Sequence, residues 1–335
     1  MECMEQDMKQ KQQNLSTLNF RKRLGFIIKL MIFPVIILLL QLYISPQYTG
    51  FYDASIMDKV QRLESVQSPK IVLLGNSNVA FGFNSEEIEE AMGMPVVNMG
   101  LHGGMGNAFH EEMGKLNVQP GDIYIVCHDT YDDDDTILRP DLAWITLENH
   151  WDMWKILRPK DIWQMVQGYP SYLKKSVTLW ASQSGNQKQE GPYSRDAFNE
   201  YGDIEWEDHG LETEFSEFSV LVPKISDSVA ERLNDLNTYF EDRGATLLIA
   251  GYPIGKGEFT PDVQEFVNFQ NDLENKLDAE VISDYRDYMF DYKYFYNTNL
   301  HLNNQGKELR TQQLISDLEN GRIKLNNNNC RWNIK

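Results

Sequence analysis

The chain has 335 residues, 41% of them hydrophobic and 24% charged, a globular composition that excludes a disordered, collagenous or multi-span membrane protein. Its 50 acidic and 31 basic residues leave a net charge of −19, and a surface of that sign repels phosphate backbones, which argues against nucleic-acid binding. Cys3, Cys127 and Cys330 lie far apart without C-x-x-C spacing, so neither a disulfide framework nor a zinc ribbon is legible.

Residues 24–45 form an almost unbroken apolar run. As a helix it would span ~33 Å against a hydrocarbon core of ~30 Å. Lys29 is near enough to the end to snorkel, and Gln41 and Pro34 are tolerable in a single span. Arg21, Lys22, Arg23 and Lys29 gather at its start and no basic residue follows until Lys59. The positive-inside rule therefore expects residues 1–23 in the cytoplasm and the rest outside, a single-pass membrane topology. No small-x-small cleavage site follows the run, so an uncleaved signal anchor is expected rather than a buried core helix. The first 30 residues hold six basic and three acidic residues, which leaves −22 on the remainder. Such a domain suits a neutral or cationic partner better than a polyanion.

After a linker over 46–66, short apolar runs alternate with helical patterns, which reads as α/β. Strands are expected at 70–75, 95–99, 122–127, 245–251 and 279–284, and four of these five are near-continuous apolar runs, as strands buried on both faces should be. Helices are expected at 85–92, with a Ser85 cap and an acidic first turn, at 226–243, at 261–277 and from 303 to about 318.

The alternation lapses over about 131–224, which reads as a mostly helical insertion with helix starts at Pro159 and Pro170. It holds Trp144, Trp151, Trp154, Trp163, Trp180 and Trp206. These read as the core of a small helical cap in preference to a platform for sugar rings. Residues 185–217 are polar and acidic, and read as a long mobile loop. The run Asp132 to Asp135 lacks the D-x-D-x-D-G spacing of a calcium loop and reads as a solvated acidic segment, so no metal and no cofactor is expected. The tail 326–335 is low in complexity and expected to be disordered.

Ser77 follows the first strand in Gly75-Asn76-Ser77-Asn78, where open α/β sheets place their ligand crevice. Val79 two residues on rules out the G-x-S-x-G elbow; a serine merely capping the next helix is the plainer alternative. His301 stands just ahead of the final helix, in a chain with six histidines. It could reach Ser77 as general base, or be a loop histidine bound to backbone.

Taken together, G-N-S-x(4)-G at 75–82, V-V-N-M-G-L-H-G-G-M-G at 96–106 and Y-N-T-N-L-H-L-N-N at 296–304 resemble the SGNH (GDSL-like) hydrolase superfamily. The divergent membrane-anchored branch related to cell-envelope polymer acylation is the nearest likeness. The resemblance covers 70–127 and 245–318, within an expected SGNH-like domain over 67–325. It implies a flavodoxin-like three-layer α/β/α fold with a parallel sheet. It also implies Ser77 as nucleophile, His301 as base, and the backbone N–H groups of Ser77 and Gly103 as the oxyanion hole.

Two positions depart from that pattern. Asp129 stands where an asparagine donor is usual, and an ionised carboxylate cannot donate, so that donor is either missing, replaced by His128 or supplied elsewhere. The aspartate usual about three residues before the histidine, which would orient the base, is lacking, with Thr298 at minus three and Asn297 at minus four, so either Asp291, Asp287 or Asp129 takes over through space or the site runs as a Ser-His dyad. The resemblance implies a serine esterase or O-acyltransferase acting on an envelope or exported polysaccharide, with a multi-span membrane O-acyltransferase as a candidate partner. The departures leave two rivals: a non-catalytic binding or assembly subunit, and a lectin-like protein using the tryptophans.

Overall fold

A computed structural model describes residues 2–132, 137–148, 151–185, 189–206, 220–257 and 260–327. The chain forms two compact units, Tyr48–Tyr172 with Asn186–Lys335, and Met1–Gln47 with Leu173–Gly185. The described strands are β1 (Ile71–Leu74), β2 (Val96–Asn98), β3 (Ile123–Val126), β4 (Thr246–Ile249), β5 (Ile254–Lys256), β6 (Glu280–Val281) and β7 (Met289–Asp291). The α-helices are α1 (Glu2–Ile44), α2 (Ile56–Ser65), α3 (Ser77–Ala80), α4 (Ser85–Met92), α5 (Asn107–Gly114), α6 (Pro140–Leu147), α7 (Pro159–Ala181), α8 (Asp227–Glu241), α9 (Val263–Lys276) and α10 (Asn304–Asn327).

The larger unit is α/β. Five strands pair in parallel in the order β2-β1-β3-β4-β6, and β5 and β7 form a separate parallel pair. Alternate residues of each strand point to opposite faces. Val72, Leu74, Val97, Tyr124, Val126 and Leu247 join a core with α2, α5, α8 and α9. Ile71, Leu73, Val96, Ile123, Ile125 and Leu248 join a second core with α4 and α10. Both faces are covered, which is why the strands are apolar throughout rather than alternating. Lys70 and Asp122 form a fully buried ion pair of 2.8 Å at the start of β1 and β3.

Several expectations shift. The cap of α4 is Asn84, whose Oδ1 accepts from the Glu87 N–H at 3.4 Å, while Ser85 donates its N–H and hydroxyl to Asp203. The strand expected over 279–284 is only two residues long, and Asp284 then caps a turn by accepting from the Arg286 N–H. Helix α10 runs on past 318. Pro170 lies inside α7 and does not start a helix. It is exposed there, as is Val166, whose carbonyl is deprived of its partner and can be met by water.

Residues 189–206 are not the mobile loop expected. Antiparallel bridges join Phe51 to Ser194 and Phe198 to Ile204, and Ala197, Asp203 and Ile204 are buried. The polar residues of this stretch serve buried partners, which composition alone cannot reveal. The remainder of that expectation (186–188 and 207–217), most of the acidic run (133–135) and most of the tail (328–335) lie outside the described residues, while residues 326 and 327 belong to α10. Trp144 and Trp154 pack at 4.9 Å, with the Trp144 indole donating to the Met165 carbonyl at 2.8 Å, whereas Trp163 is exposed.

The smaller unit holds α1 and the last turns of α7. Within α1, Phe20–Ile44 is long and apolar enough to cross a membrane, with mean hydropathy 2.5. Its apolar side chains, Phe26, Phe33 and Leu39 among them, are exposed. Near its end Tyr43 meets Trp180 edge-on at 5.9 Å.

Candidate active site

The site lies at the carboxyl edge of the sheet, where β1 is flanked by β2 and β3 and the strand order reverses. Asn76 caps α3, its Oδ1 accepting from the Asn78 N–H at 2.9 Å. Ser77, the first residue of α3, is therefore not the cap, and its hydroxyl is available for other chemistry. Glycines let the backbone close up behind it: a methyl on Gly82 would sit 2.1 Å from the Asn78 carbonyl oxygen, and one on Gly100 2.4 Å from the Ala80 nitrogen.

His301 is presented by a loop closed by the Phe295–Leu302 bridge. Thr298 Oγ1 accepts from the N–H groups of Leu300 and His301 at 3.2 and 3.1 Å, tightening the turn. The imidazole Nε2 lies 2.8 Å from Ser77 Oγ, across 224 residues of sequence. On the other side of the ring, Nδ1 lies 2.8 Å from Asn297 Oδ1. An amide oxygen only accepts, so Nδ1 carries the hydrogen and the Nε2 lone pair faces the serine hydroxyl, the arrangement a general base needs. The ring stacks on Phe81 at 4.2 Å and 11°. Burial, with His102 nearby, pushes the His301 pKa down to about 3, so the imidazole is neutral.

A residue without a sequence signal completes this side of the site. Tyr193, from the stretch expected to be a loop, places its hydroxyl 3.3 Å from His301 Nδ1 and accepts from Asn297 Nδ2 at 2.8 Å. Neither of the exposed residues Asp287 and Asp291 touches His301 among the described residues, and Asp129 binds Asn76 instead. None of these three carboxylates therefore takes the orienting role through space.

The backbone N–H groups of Ser77 and Gly103 each open a short helix, α3 and the 3₁₀ turn Gly103–Met105. Neither donates to an acceptor among the described residues. The loop is shaped by His102, whose Nδ1 accepts from the Gly104 N–H at 2.8 Å. His128 is no substitute donor here: it is fully buried, with Nε2 2.9 Å from Glu111, which also binds Arg232 at 2.7 Å. Asp129 is half-buried, its Oδ1 accepting from Asn76 Nδ2 at 2.5 Å, and burial raises its carboxyl above the usual range.

Beside His301 a cleft is lined by Phe81, Trp206, Tyr296, Leu302 and Lys307. Among the described residues no three His, Cys, Asp or Glu side chains are grouped so as to hold a metal ion. No protein-family model, no curated protein and no solved structure matches this chain.

Proposed function

We propose that this protein is a membrane-anchored, SGNH-like serine acyl-transfer enzyme. The reading is carried by one observation: Ser77 Oγ, His301 and Asn297 stand in series at 2.8 Å and 2.8 Å. The N–H groups of Ser77 and Gly103, which have no acceptor among the described residues, support it from the neighbouring loops. In the proposed reaction Ser77 Oγ attacks an ester carbonyl and passes its proton to His301 Nε2. The two N–H groups hold the oxygen as it becomes negative. Collapse expels the alcohol, which takes the proton from His301, and leaves an acyl-serine. Water or a sugar hydroxyl, deprotonated by His301, then removes the acyl group. The first acceptor makes an esterase, the second an O-acyltransferase.

The apolar helix Phe20–Ile44 and the basic cluster at its start support a cytoplasmic N-terminus and an extracytoplasmic catalytic unit. The proposed substrate is an O-acyl group on an envelope or exported polysaccharide. A multi-span membrane O-acyltransferase is the proposed donor partner.

The second reading, a non-catalytic subunit that binds an acylated polymer, is favoured by Asn297, since an amide orients the imidazole but adds no charge to stabilise imidazolium. Labelling the full-length chain in detergent with a fluorophosphonate, mapped by mass spectrometry, separates the two. Modification at Ser77 that is lost in Ser77→Ala and His301→Ala is expected. Absence of labelling on folded protein would transfer the assignment to the binding subunit.

A further inference from the structure

Resting on the acyl-transfer reading, we infer that the side-chain amide of Asn76 is a third donor of the oxyanion hole, doing at the cap of α3 what Asp129 cannot do at the end of β3.

The guanidinium of Arg310, which can only donate, sets the direction of every bond in this network. Arg310, fully buried, donates from Nη2 to Asn78 Oδ1 at 3.0 Å and from Nη1 to the Asn78 carbonyl at 2.6 Å. A guanidinium has no acceptor, so the oxygen of the Asn78 amide is fixed on Arg310 and its nitrogen points away. That nitrogen donates to the Cys127 carbonyl at 3.1 Å and to Asn76 Oδ1 at 2.8 Å. Asn76 Oδ1 also accepts from the Asn78 N–H at 2.9 Å. With two donors converging on one side of the Asn76 amide, that side must be oxygen and the other nitrogen. Nδ2 carries two hydrogens, and one is taken up by Asp129 Oδ1.

The second hydrogen has no acceptor among the described residues, although Asn76 is only 8% exposed. It lies beside the hole: a methyl built on Gly103 would be 3.5 Å from Nδ2. Asn76 also immediately precedes Ser77, so three donors, the Ser77 and Gly103 N–H groups and Asn76 Nδ2, gather around the nucleophile. An aspartate at 76 could cap α3 equally well but could not donate. Asp129 pins the amide by accepting its first hydrogen, and the buried Arg310 charge lies at the other end of the same chain of side chains.

The test compares fluorophosphonate labelling rates of Ser77 in full-length protein in detergent, because the phosphonyl oxygen enters the same hole. Asn76→Ser keeps a capping oxygen and has a single hydrogen, which Asp129 takes up, and Asn76→Asp keeps the oxygen but sets a second carboxyl against Asp129, so both remove the free hydrogen of the amide. Each is expected to label about 100-fold more slowly, with the melting temperature measured beside the rate so that only folded protein is compared. Asp129→Asn keeps an oxygen that accepts from Asn76 and adds N–H groups of its own, so it is expected to slow labelling far less than the Asn76 variants do. Full-rate labelling in either Asn76 variant overturns the inference and leaves the acyl-transfer reading intact. So does a loss in Asp129→Asn as large as in the Asn76 variants, which would make the pair a structural unit only. Failure of the unmodified chain to label overturns both. Should Asn76→Asp not fold, Asn76→Ser alone decides.

Discussion

His301 Nδ1 faces an amide rather than a carboxylate: Asn297 Oδ1 lies 2.8 Å away, and the Asn297 nitrogen is in turn held by the Tyr193 hydroxyl at 2.8 Å. Orientation of the base and stabilisation of its charge are thus separated. The amide sets which ring nitrogen carries the hydrogen, but among the described residues no negatively charged group stands beside Nδ1. Putting the charge back should help. In Asn297→Asp, the new carboxylate would favour imidazolium, raising the His301 pKa, and the Tyr193 hydroxyl can reverse its role and donate. Ser77 labelling by fluorophosphonate is expected to rise at least about tenfold, a small part of the ~10⁴-fold that the carboxylate is worth in a serine protease. A slower variant would show that the site is tuned around the neutral residue.

The pH dependence follows from burial. His301 acts as base only when neutral, and its pKa is pushed down to about 3, chiefly by desolvation. The sign is fixed: the reactive form is present above the folded-state value and lost as pH falls through it. Labelling rate should stay flat from pH 8 to about pH 5, with no inflection near the ordinary histidine value of about 6.5. In Asn297→Asp the inflection should move up. An inflection between pH 6 and 7 in the unmodified chain would mean that His301 is solvated when it reacts.

Tyr193 acts through Asn297 and is a positioning residue. Removing its hydroxyl in Tyr193→Phe deletes one hydrogen bond, worth ~1 kcal/mol, or about fivefold in rate. The labelling rate is expected to fall by about that factor, with the melting temperature unchanged because the ring keeps its contacts with Tyr52 and Phe81. A unit shift in the pH profile would point instead to a direct electrostatic role on His301 Nδ1, 3.3 Å away.

Asp203 carries a structural prediction. Its buried carboxylate accepts from the Ser85 N–H, the Ser85 hydroxyl and Asn98 Nδ2, each at 2.7 Å. The three donors come from the start of α4 and the end of β2, so one side chain ties the 189–206 segment to the sheet. Asp203→Ala leaves buried donors without an acceptor, which costs about 3 kcal/mol or more. A drop of roughly 6–12 °C in melting temperature is expected for a unit of this size. A change under 2 °C would show that water replaces the carboxylate.

Much of this was legible in the sequence because it is local. Strands β1 to β4 are short apolar runs between turn residues, and α8 and α9 declare their starts through Ser226 and Asp262, whose side chains accept from the first-turn N–H groups. The apolar span needed only a count of residues, although the helix that carries it begins far earlier, at Glu2. The order of chain elements also indicated that Ser77 and His301 could share one edge of a sheet.

What sequence left open was decided by contacts between residues remote in the chain. Asn297 looked like a defect because its value depends on Tyr193, 104 residues away, whose hydroxyl holds the amide in place. The segment around Asp203 looked mobile because its polar residues have buried partners up to 118 residues distant, and composition does not distinguish a polar group in water from one in a network. Asp129 read as a departure unable to donate; Arg310, 232 residues from Asn78, fixes the amides that join it to Asn76. Local propensities act over a few residues and are written in the chain, whereas the direction of a buried hydrogen bond depends on which donor the fold brings to its other end.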